Sequence, residues 1–213
     1  MKFKKHIMIA SVVIAGALTF GVLSTSAIDP FTSTTDDIKK ELEENKGIEK
    51  KALVMVGETP ITTIDLANYK SYKKVDNVKS SDEELLKELV IEELFLQLAK
   101  EKNVYATFEQ GMAEAKKNRQ ILESQSQQVQ DVQQKFIELT GLTEEQYWTD
   151  LAPKEYQKLI SMQNLVKKLV EVGELKQSED PNEFGKELRE YKEKLFKAQL
   201  NKKVKVLDSS FTF

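Results

Sequence analysis

The chain has 213 residues, of which 31% are charged and 40% are hydrophobic, and its formal net charge is −3. It contains no cysteine, and its one histidine is His6. From residue 28 onward the sequence therefore excludes thiol and imidazole nucleophiles, the usual Ser-His-Asp relay, and zinc sites built on Cys or His. A mildly acidic chain with interspersed lysines is not suited to tracking phosphates, so we expect no nucleic-acid partner. The sequence has no glycine-rich phosphate loop, and we expect no cofactor.

The first 27 residues have the pattern of a secretory signal peptide. A basic start, "MKFKKH", precedes the uncharged run "IMIASVVIAGALTFGVL", and small residues lead to a cleavage position after Ala27. We therefore expect an exported protein, either secreted or in the cell envelope. The alternative is that the run is retained as a tilted membrane anchor, which would be the only contact of the protein with a membrane. A lipid anchor is excluded because no cysteine follows the run.

Residues 28–51 are polar, and only Ile38 and Leu42 have helical spacing among them. The segment predicts a mobile arm or linker with one short helix that ends near Gly47. We place the folded domain after this arm, at residues 52–213.

The folded domain begins with an apolar run, "LVMV" at residues 53–56, which is typical of a short buried strand. Gly57 to Pro60 predict a turn after the strand. Thr62 and Asp65 then have the spacing of a capping box, so we expect the helix "TIDLANYKSYKK" to begin there.

The next helix is predicted by "SSDEELLKELVIEELFLQLAKEKNV", with Ser81 and Glu84 as its capping pair. Leu86, Val90 and Leu94 recur every four residues, and further leucines widen the apolar face. Because a helix that is apolar on more than one side is buried on more than one side, we expect it at the centre of the core.

Thr107 and Gln110 predict the start of a third, long helix that runs to about Leu139. Its apolar residues have heptad-like spacing, but Arg119 and Ser126 occupy positions where such a seam should be apolar. The Gln-rich middle, "ESQSQQVQDVQQ", is therefore expected to project from the body as a partly solvated helix.

Two further helices follow in the sequence. Thr143 and Gln146 predict the start of the first, in which Pro153 must either kink the helix or begin a new one, because proline lacks a backbone N–H. Asp180 is the expected N-cap of the last helix, with Pro181 at its first position.

The sequence ends with "KKVKVLDSSF", in which valines alternate with lysines as in a strand with one buried side. We expect this strand, at about residues 203–207, to pair with residues 53–56, about 150 residues away. The predicted fold is therefore mainly α: an array of about five helices, one of them long, closed by a small two-stranded sheet.

The order of these elements resembles the N-terminal chaperone module of the SurA and PrsA foldases, over about residues 50–209. The resemblance rests on "LVMVGETPITTIDL", on "LVIEELFLQLAKEKNVYAT", on the helix "GLTEEQYWTDLAPKEYQKLISMQNLVKKLV", and on the returning strand "KVKVLD". Two positions depart from the family pattern: Asn103 stands where the family usually has glycine, and Val56 stands where it usually has asparagine.

The resemblance implies an ATP-independent chaperone, or holdase, for unfolded or extended segments of exported polypeptides. In the foldases a parvulin isomerase domain is inserted before the last helix, whereas this chain has only a linker at about residues 172–181. The active-site His and Cys of parvulin have no counterpart here. We therefore expect no peptidyl-prolyl isomerase activity and no other enzymatic activity.

A holdase needs an accessible surface of apolar and adaptable side chains. Two aromatic residues that are adjacent on a helix cannot both face one core, so we expect Tyr147 or Trp148 to be exposed. Each candidate also has a simpler interpretation as a core residue, since Met and aromatic residues at helical spacing usually face a core. The candidate peptide-binding residues are Met112, Phe136, Tyr147, Trp148, Tyr156 and Met162.

The alternative function is that of a surface or envelope protein that binds one specific partner through its long helix by coiled-coil pairing. A glycosidase with paired carboxylates is formally possible, but the acidic residues of this chain recur at helix starts and on solvated helix faces. We interpret "SEDP" and "SSDEE" as helix caps.

Overall fold

The computed structural model describes residues 28–74 and 80–213, so the predicted signal peptide lies outside the described residues. Most described residues are helical, which confirms the mainly α class. A π-helical turn at Tyr147–Leu151 lies between two of the α-helices. The strands are β1 (Ala52–Val56), β2 (Thr59–Thr62) and β3 (Val204–Val206), and the α-helices are α1 (Ile28–Asn45), α2 (Thr63–Lys73), α3 (Asp82–Glu101), α4 (Phe108–Glu123), α5 (Gln127–Thr140), α6 (Glu144–Gln146), α7 (Ala152–Glu171) and α8 (Pro181–Gln199).

The sheet has three antiparallel strands in the order β2-β1-β3. The predicted pairing of the first strand with the last is confirmed, since Val54 lies opposite Val206 in the ladder. The prediction of a two-stranded sheet is wrong, because the chain returns after β1 as a third strand, β2. The predicted turn at Gly57 to Pro60 is present but shorter, since it takes only Gly57 and Glu58 and Pro60 already belongs to β2. Gly57 permits this short turn with a φ of +59°. Pro60 is tolerated because β2 is an edge strand, where no partner needs its missing N–H.

The predicted helix starts are confirmed by their capping hydrogen bonds. In each capping box, the Ser or Thr side chain accepts from the backbone N–H three residues later, while that residue's side chain accepts from the cap's own N–H. Asp180 caps α8 by accepting a hydrogen bond from the N–H of Asn182. The capping boxes are Thr62 with Asp65, Ser81 with Glu84, Thr107 with Gln110, and Thr143 with Gln146.

The long helix predicted from residue 108 to about 139 is wrong, because the chain breaks between Glu123 and Gln127 into α4 and α5. Ser126, one of the two residues that interrupted the heptad pattern, occupies the N-cap position of α5, where the break ends. Arg119, the other, lies within α4 and is paired with Glu144 and Glu145 at N–O distances of 3.1 Å.

Helix α1 is longer and better packed than the mobile arm expected at residues 28–51. Ile38 and Leu42 are buried in a cluster with residues of α5 and α7. The Asn45 side chain donates hydrogen bonds to the side chains of Asn68 and Ser71 in α2, at 3.1 and 3.3 Å. Two apolar residues one turn apart are a weak helix signal by themselves, and burial against α5 supplies most of the stabilisation.

The core consists of three apolar clusters, and α3 contributes to two of them. The first lies between the sheet and α2, α3 and α8, and it includes Leu86, Val90 and Phe196. Another lies between α3, α7 and α8 and is built around Phe95 and Leu165. The remaining cluster, which we call the aromatic cluster, joins α1, α5, the π-helical turn and α7. Its members include Ile38, Leu42, Phe136, Tyr147, Trp148 and Tyr156.

Helices α4 and α7 run antiparallel and pack closely at Gly111. A Cβ atom at this position would lie only 2.1 Å from the carbonyl oxygen of Pro153 and 3.0 Å from the backbone nitrogen of Gln157. Both obstacles are backbone atoms, so a side chain at residue 111 would force the two helices apart.

We expect Gly111→Ala to lower the free energy of unfolding by about 1–3 kcal/mol, because overpacking outweighs the gain in helix propensity. Gly185→Ala in α8 is the matched control. Its new Cβ would meet only the flexible Arg189 side chain, at 3.5 Å, so we expect a gain of up to about 1 kcal/mol. Urea unfolding of both variants measures the difference. A Gly111→Ala variant as stable as the control would contradict the close packing of α4 on α7.

Candidate functional site

The six residues proposed from the sequence for peptide binding do not form one surface. Phe136, Tyr147, Trp148 and Tyr156 belong to the aromatic cluster and are buried there. Met162 is buried in the cluster between α3, α7 and α8. Only Met112 is exposed, at 46% of its full accessibility, on α4. Five of the six residues are therefore core residues in this structure.

The expectation that Tyr147 or Trp148 would be exposed is wrong, since they are only 1% and 6% exposed. Both residues lie in the π-helical turn, where the N–H of Ala152 bonds to the carbonyl of Tyr147 five residues earlier. Pro153 follows at once and has no N–H to continue the α-helical ladder, which favours the wider turn. The two rings meet edge to face, with centroids 5.0 Å apart, inside one cluster.

The aromatic cluster also contains the polar ends of several buried side chains. Burial raises the pKa of Tyr147 to about 12, an effect that the side chain of Gln133 partly offsets. Burial likewise raises the pKa of Tyr156. Among the described residues, the Nε2 atom of Gln133 and the Nε1 atom of Trp148 have no hydrogen-bond partner. We assign the cluster to holding α1, α5 and α7 together.

A group of charged side chains lies where α3 meets α7 and α8. Glu155 is buried and forms an ion pair with Lys158, at 2.9 Å. Burial raises the pKa of Glu92, and nearby Lys158 and Lys192 oppose this rise. Burial lowers the pKa of Lys192, whose ammonium lies 5.2 Å from the centroid of the Phe95 ring. Each charge comes from a helix that packs on its neighbours, so we assign the group to the helix interfaces.

Residues 28–74 and 80–213 contain neither a cluster of metal ligands nor a helix that could cross a membrane. No group of three or more Asp, Glu, His or Cys side chains in this part of the chain could hold a metal ion. None of the helices described there has both the length and the apolar character needed to cross a bilayer.

The segment that follows β3 lies on the outside of the first cluster. The backbone N–H groups of Leu207 and Asp208 both donate to the carbonyl of Leu53, at 2.8 and 3.2 Å, so the chain leaves the sheet in a fixed direction. Asp208 then closes a turn by accepting hydrogen bonds from the N–H and hydroxyl of Ser210, at 2.9 and 2.7 Å. The turn aims Phe211 back at the body of the protein.

Residues Phe211–Phe213 lie on this body as an extended peptide would. Phe211 and Phe213 are half-buried against the first cluster, while Thr212 between them is exposed. The Phe213 ring meets the Phe196 ring edge to face, with centroids 5.3 Å apart and an angle of 89°. Neither Thr212 nor Phe213 makes a backbone hydrogen bond to any residue that the structure describes. The Phe211 N–H bonds within the turn, to the carbonyl of Asp208 at 3.2 Å, so the contacts of the segment with the first cluster come from its side chains.

The place where Phe213 lies is completed by a lysine, and we call Phe196, Lys87 and Glu193 the Phe196 site. The Lys87 ammonium lies 5.1 Å from the centroid of the Phe196 ring and 2.9 Å from a Glu193 carboxylate oxygen. An aromatic ring with a cation over it and an anion beside that cation suits apolar peptide side chains and the polar groups between them. Phe196 itself is buried in this arrangement.

Sequence reasoning missed the Phe196 site. A signal was present in the two phenylalanines at alternate positions after the last strand, "SSFTF", which is the spacing of an extended segment with one apolar side. The exposed large hydrophobic residues of the described part of the chain each follow or belong to a different element. They are Ile48, Met112, Val172 and Leu207.

The chain matches no protein-family model, and it has no significant match among curated proteins or solved structures. The resemblance to the SurA and PrsA foldases therefore rests on the sequence motifs and the order of the elements.

Because Trp148 belongs to the core, we expect Trp148→Ala to lower the free energy of unfolding by about 3–5 kcal/mol. Met112→Ala is the control for an exposed residue and is expected to change this free energy by at most about 0.5 kcal/mol. Denaturant unfolding followed by circular dichroism measures both values. A small effect of Trp148→Ala would return this residue to the list of surface candidates.

The raised pKa of Tyr147 predicts a loss of stability at alkaline pH. The unfolded state releases the phenolic proton near pH 10, whereas the folded state keeps it until about pH 12. Between these values the folded state binds more protons, so the free energy of unfolding falls as pH rises. We expect the contribution of Tyr147 at pH 11 to be a loss of about 1 kcal/mol relative to pH 9.

Tyr147→Phe isolates this contribution, because the variant keeps the ring and has no proton to release. Urea unfolding at pH 9 and pH 11 is compared for the two proteins. We expect the variant to lose about 1 kcal/mol less than the wild type over this interval. Equal losses would mean that the Tyr147 hydroxyl titrates with its ordinary pKa and is solvated.

Proposed function

We propose that this protein is an exported, ATP-independent holdase that binds unfolded or extended segments of other exported polypeptides and has no isomerase activity. The observation that carries the proposal is the Phe196 site, against which a segment of the chain, Phe211–Phe213, packs through its side chains and without a backbone hydrogen bond to the sheet or the helices. Export is inferred from the signal-peptide pattern of residues 1–27, and the foldase resemblance supports the chaperone role.

Recognition of this kind suits a holdase for a physical reason. Binding through ring burial needs an apolar side chain on the client and little else, so it tolerates many sequences. Main-chain hydrogen bonds would instead fix the register and direction of the bound strand. The clients that fit the Phe196 site are extended segments with apolar side chains two residues apart, because alternate residues of an extended chain face the same side.

The alternative, a protein that binds one partner through a long helix, loses its structural basis. The predicted helix is divided into α4 and α5, and Ile137 of α5 is buried against α1. Gly111 of α4 lies against α7. No feature of the described residues favours coiled-coil pairing with another protein.

The test uses the purified protein and a chemically unfolded client whose aggregation is followed by light scattering without ATP. We expect suppression of aggregation at near-stoichiometric amounts. Phe196→Leu keeps an apolar side chain but removes the ring, and we expect it to need several-fold more protein for the same suppression. Phe184→Leu is the matched control, since Phe184 is a half-buried residue at the other end of α8.

The outcomes separate the function from the place where it resides. An absence of suppression by the wild type at large excess would reject the holdase proposal. Suppression that is equally strong in Phe196→Leu and Phe184→Leu, at unchanged stability, would keep a holdase and reject the Phe196 site as its client surface.

A further inference from the structure

The Phe196 site is occupied by the protein's own chain. The Phe213 ring packs edge to face with the Phe196 ring, the Lys87 ammonium lies over the Phe196 ring, and Phe196 is buried as a member of the first cluster. A client that binds by the proposed mechanism needs the surface on which Phe213 lies. The client and the Phe211–Phe213 segment therefore compete for one place.

The segment is attached in a way that allows it to leave. The last backbone hydrogen bonds to the sheet are those from Leu207 and Asp208 to Leu53, and these residues precede the segment. Beyond the Asp208 turn, its ordering is opposed by the conformational entropy of three residues and favoured only by the burial of two half-exposed rings. These two contributions are of similar size, and segments with few protected backbone bonds belong to the least stable parts of a fold.

We infer that Phe211–Phe213 is a displaceable intramolecular cover of the Phe196 site, which lowers the affinity of the protein for clients until a client segment replaces it. The inference rests on the proposed function for the identity of the competitor. The attachment to β3 keeps the segment near its site, so the cover competes at a high effective concentration. A site that is open in about one molecule in ten has an apparent affinity about tenfold below its intrinsic one.

The test measures binding of a fluorescently labelled peptide with the sequence of residues 207–213, LDSSFTF, by anisotropy. The proteins are the wild type and the double variant Phe211→Ser with Phe213→Ser, which leaves the site uncovered. We expect the double variant to bind the peptide about tenfold more tightly than the wild type does. Thr212→Ala is the matched control, because Thr212 is exposed within the same segment, and its affinity should equal that of the wild type.

A second measurement requires no loss of either ring. Unlabelled peptide is titrated into the wild-type protein, and the aromatic NMR signals of Phe211 and Phe213 are followed. Displacement of the cover moves these signals toward the positions of the free peptide. The inference is overturned if the signals stay unchanged at saturating peptide, or if the folded double variant and the wild type bind the peptide equally.

These readouts separate the cover from the holdase. Tighter peptide binding by the double variant without any suppression of client aggregation would keep the cover and reject the proposed function. Suppression of aggregation with equal peptide affinities would keep the function and reject the cover.

Discussion

The antiparallel pairing of β1 with β3 is the constraint on which the rest of the structure depends. It joins residues about 150 positions apart, so that helices α2 to α8 form one closed loop of chain between the two strands. The entropy of closing such a loop grows only slowly with its length. The hairpin to β2 gives β1 a second partner, and α2, α3 and α8 bury the apolar side of the sheet. A two-stranded ribbon alone would be marginal.

Helix α3 transmits this constraint to the rest of the protein. Its Leu86 and Val90 pack under the sheet, whereas Phe95 belongs to the cluster with α7 and α8. Helix α7 is preceded by the π-helical turn, which places Tyr147 and Trp148 in the aromatic cluster together with residues of α1 and α5. Each cluster shares an element with the next, and a change in the position of one helix is felt by its neighbours because interiors are close-packed.

Local signals in the sequence predicted the starts of the helices and the pairing of the first strand with the last, because capping boxes and alternating valines act over a few residues. The features that the sequence alone could not predict depend on contacts between residues far apart in the chain. Ser126 looks like a polar interruption until α5 has a separate place to pack, and Ile38 is weak evidence for a helix until α5 covers it. The adjacent burial of Tyr147 and Trp148 follows from a π-helical turn, whose geometry an α-helical pattern does not contain.

Most of the residues predicted to bind a peptide are buried for a related reason. Methionine and aromatic residues at helical spacing fit a core and a client surface equally well, and the enclosed fold takes most of them for its core. The residues proposed to bind a client lie where the closed loop of chain ends, next to the cluster under the sheet. Because Phe211–Phe213 follows β3 and adds nothing to its ladder, the segment can leave the Phe196 site while the β1–β3 pairing stays intact. The closure that stabilises the fold is thus separate from the contact that is proposed to open.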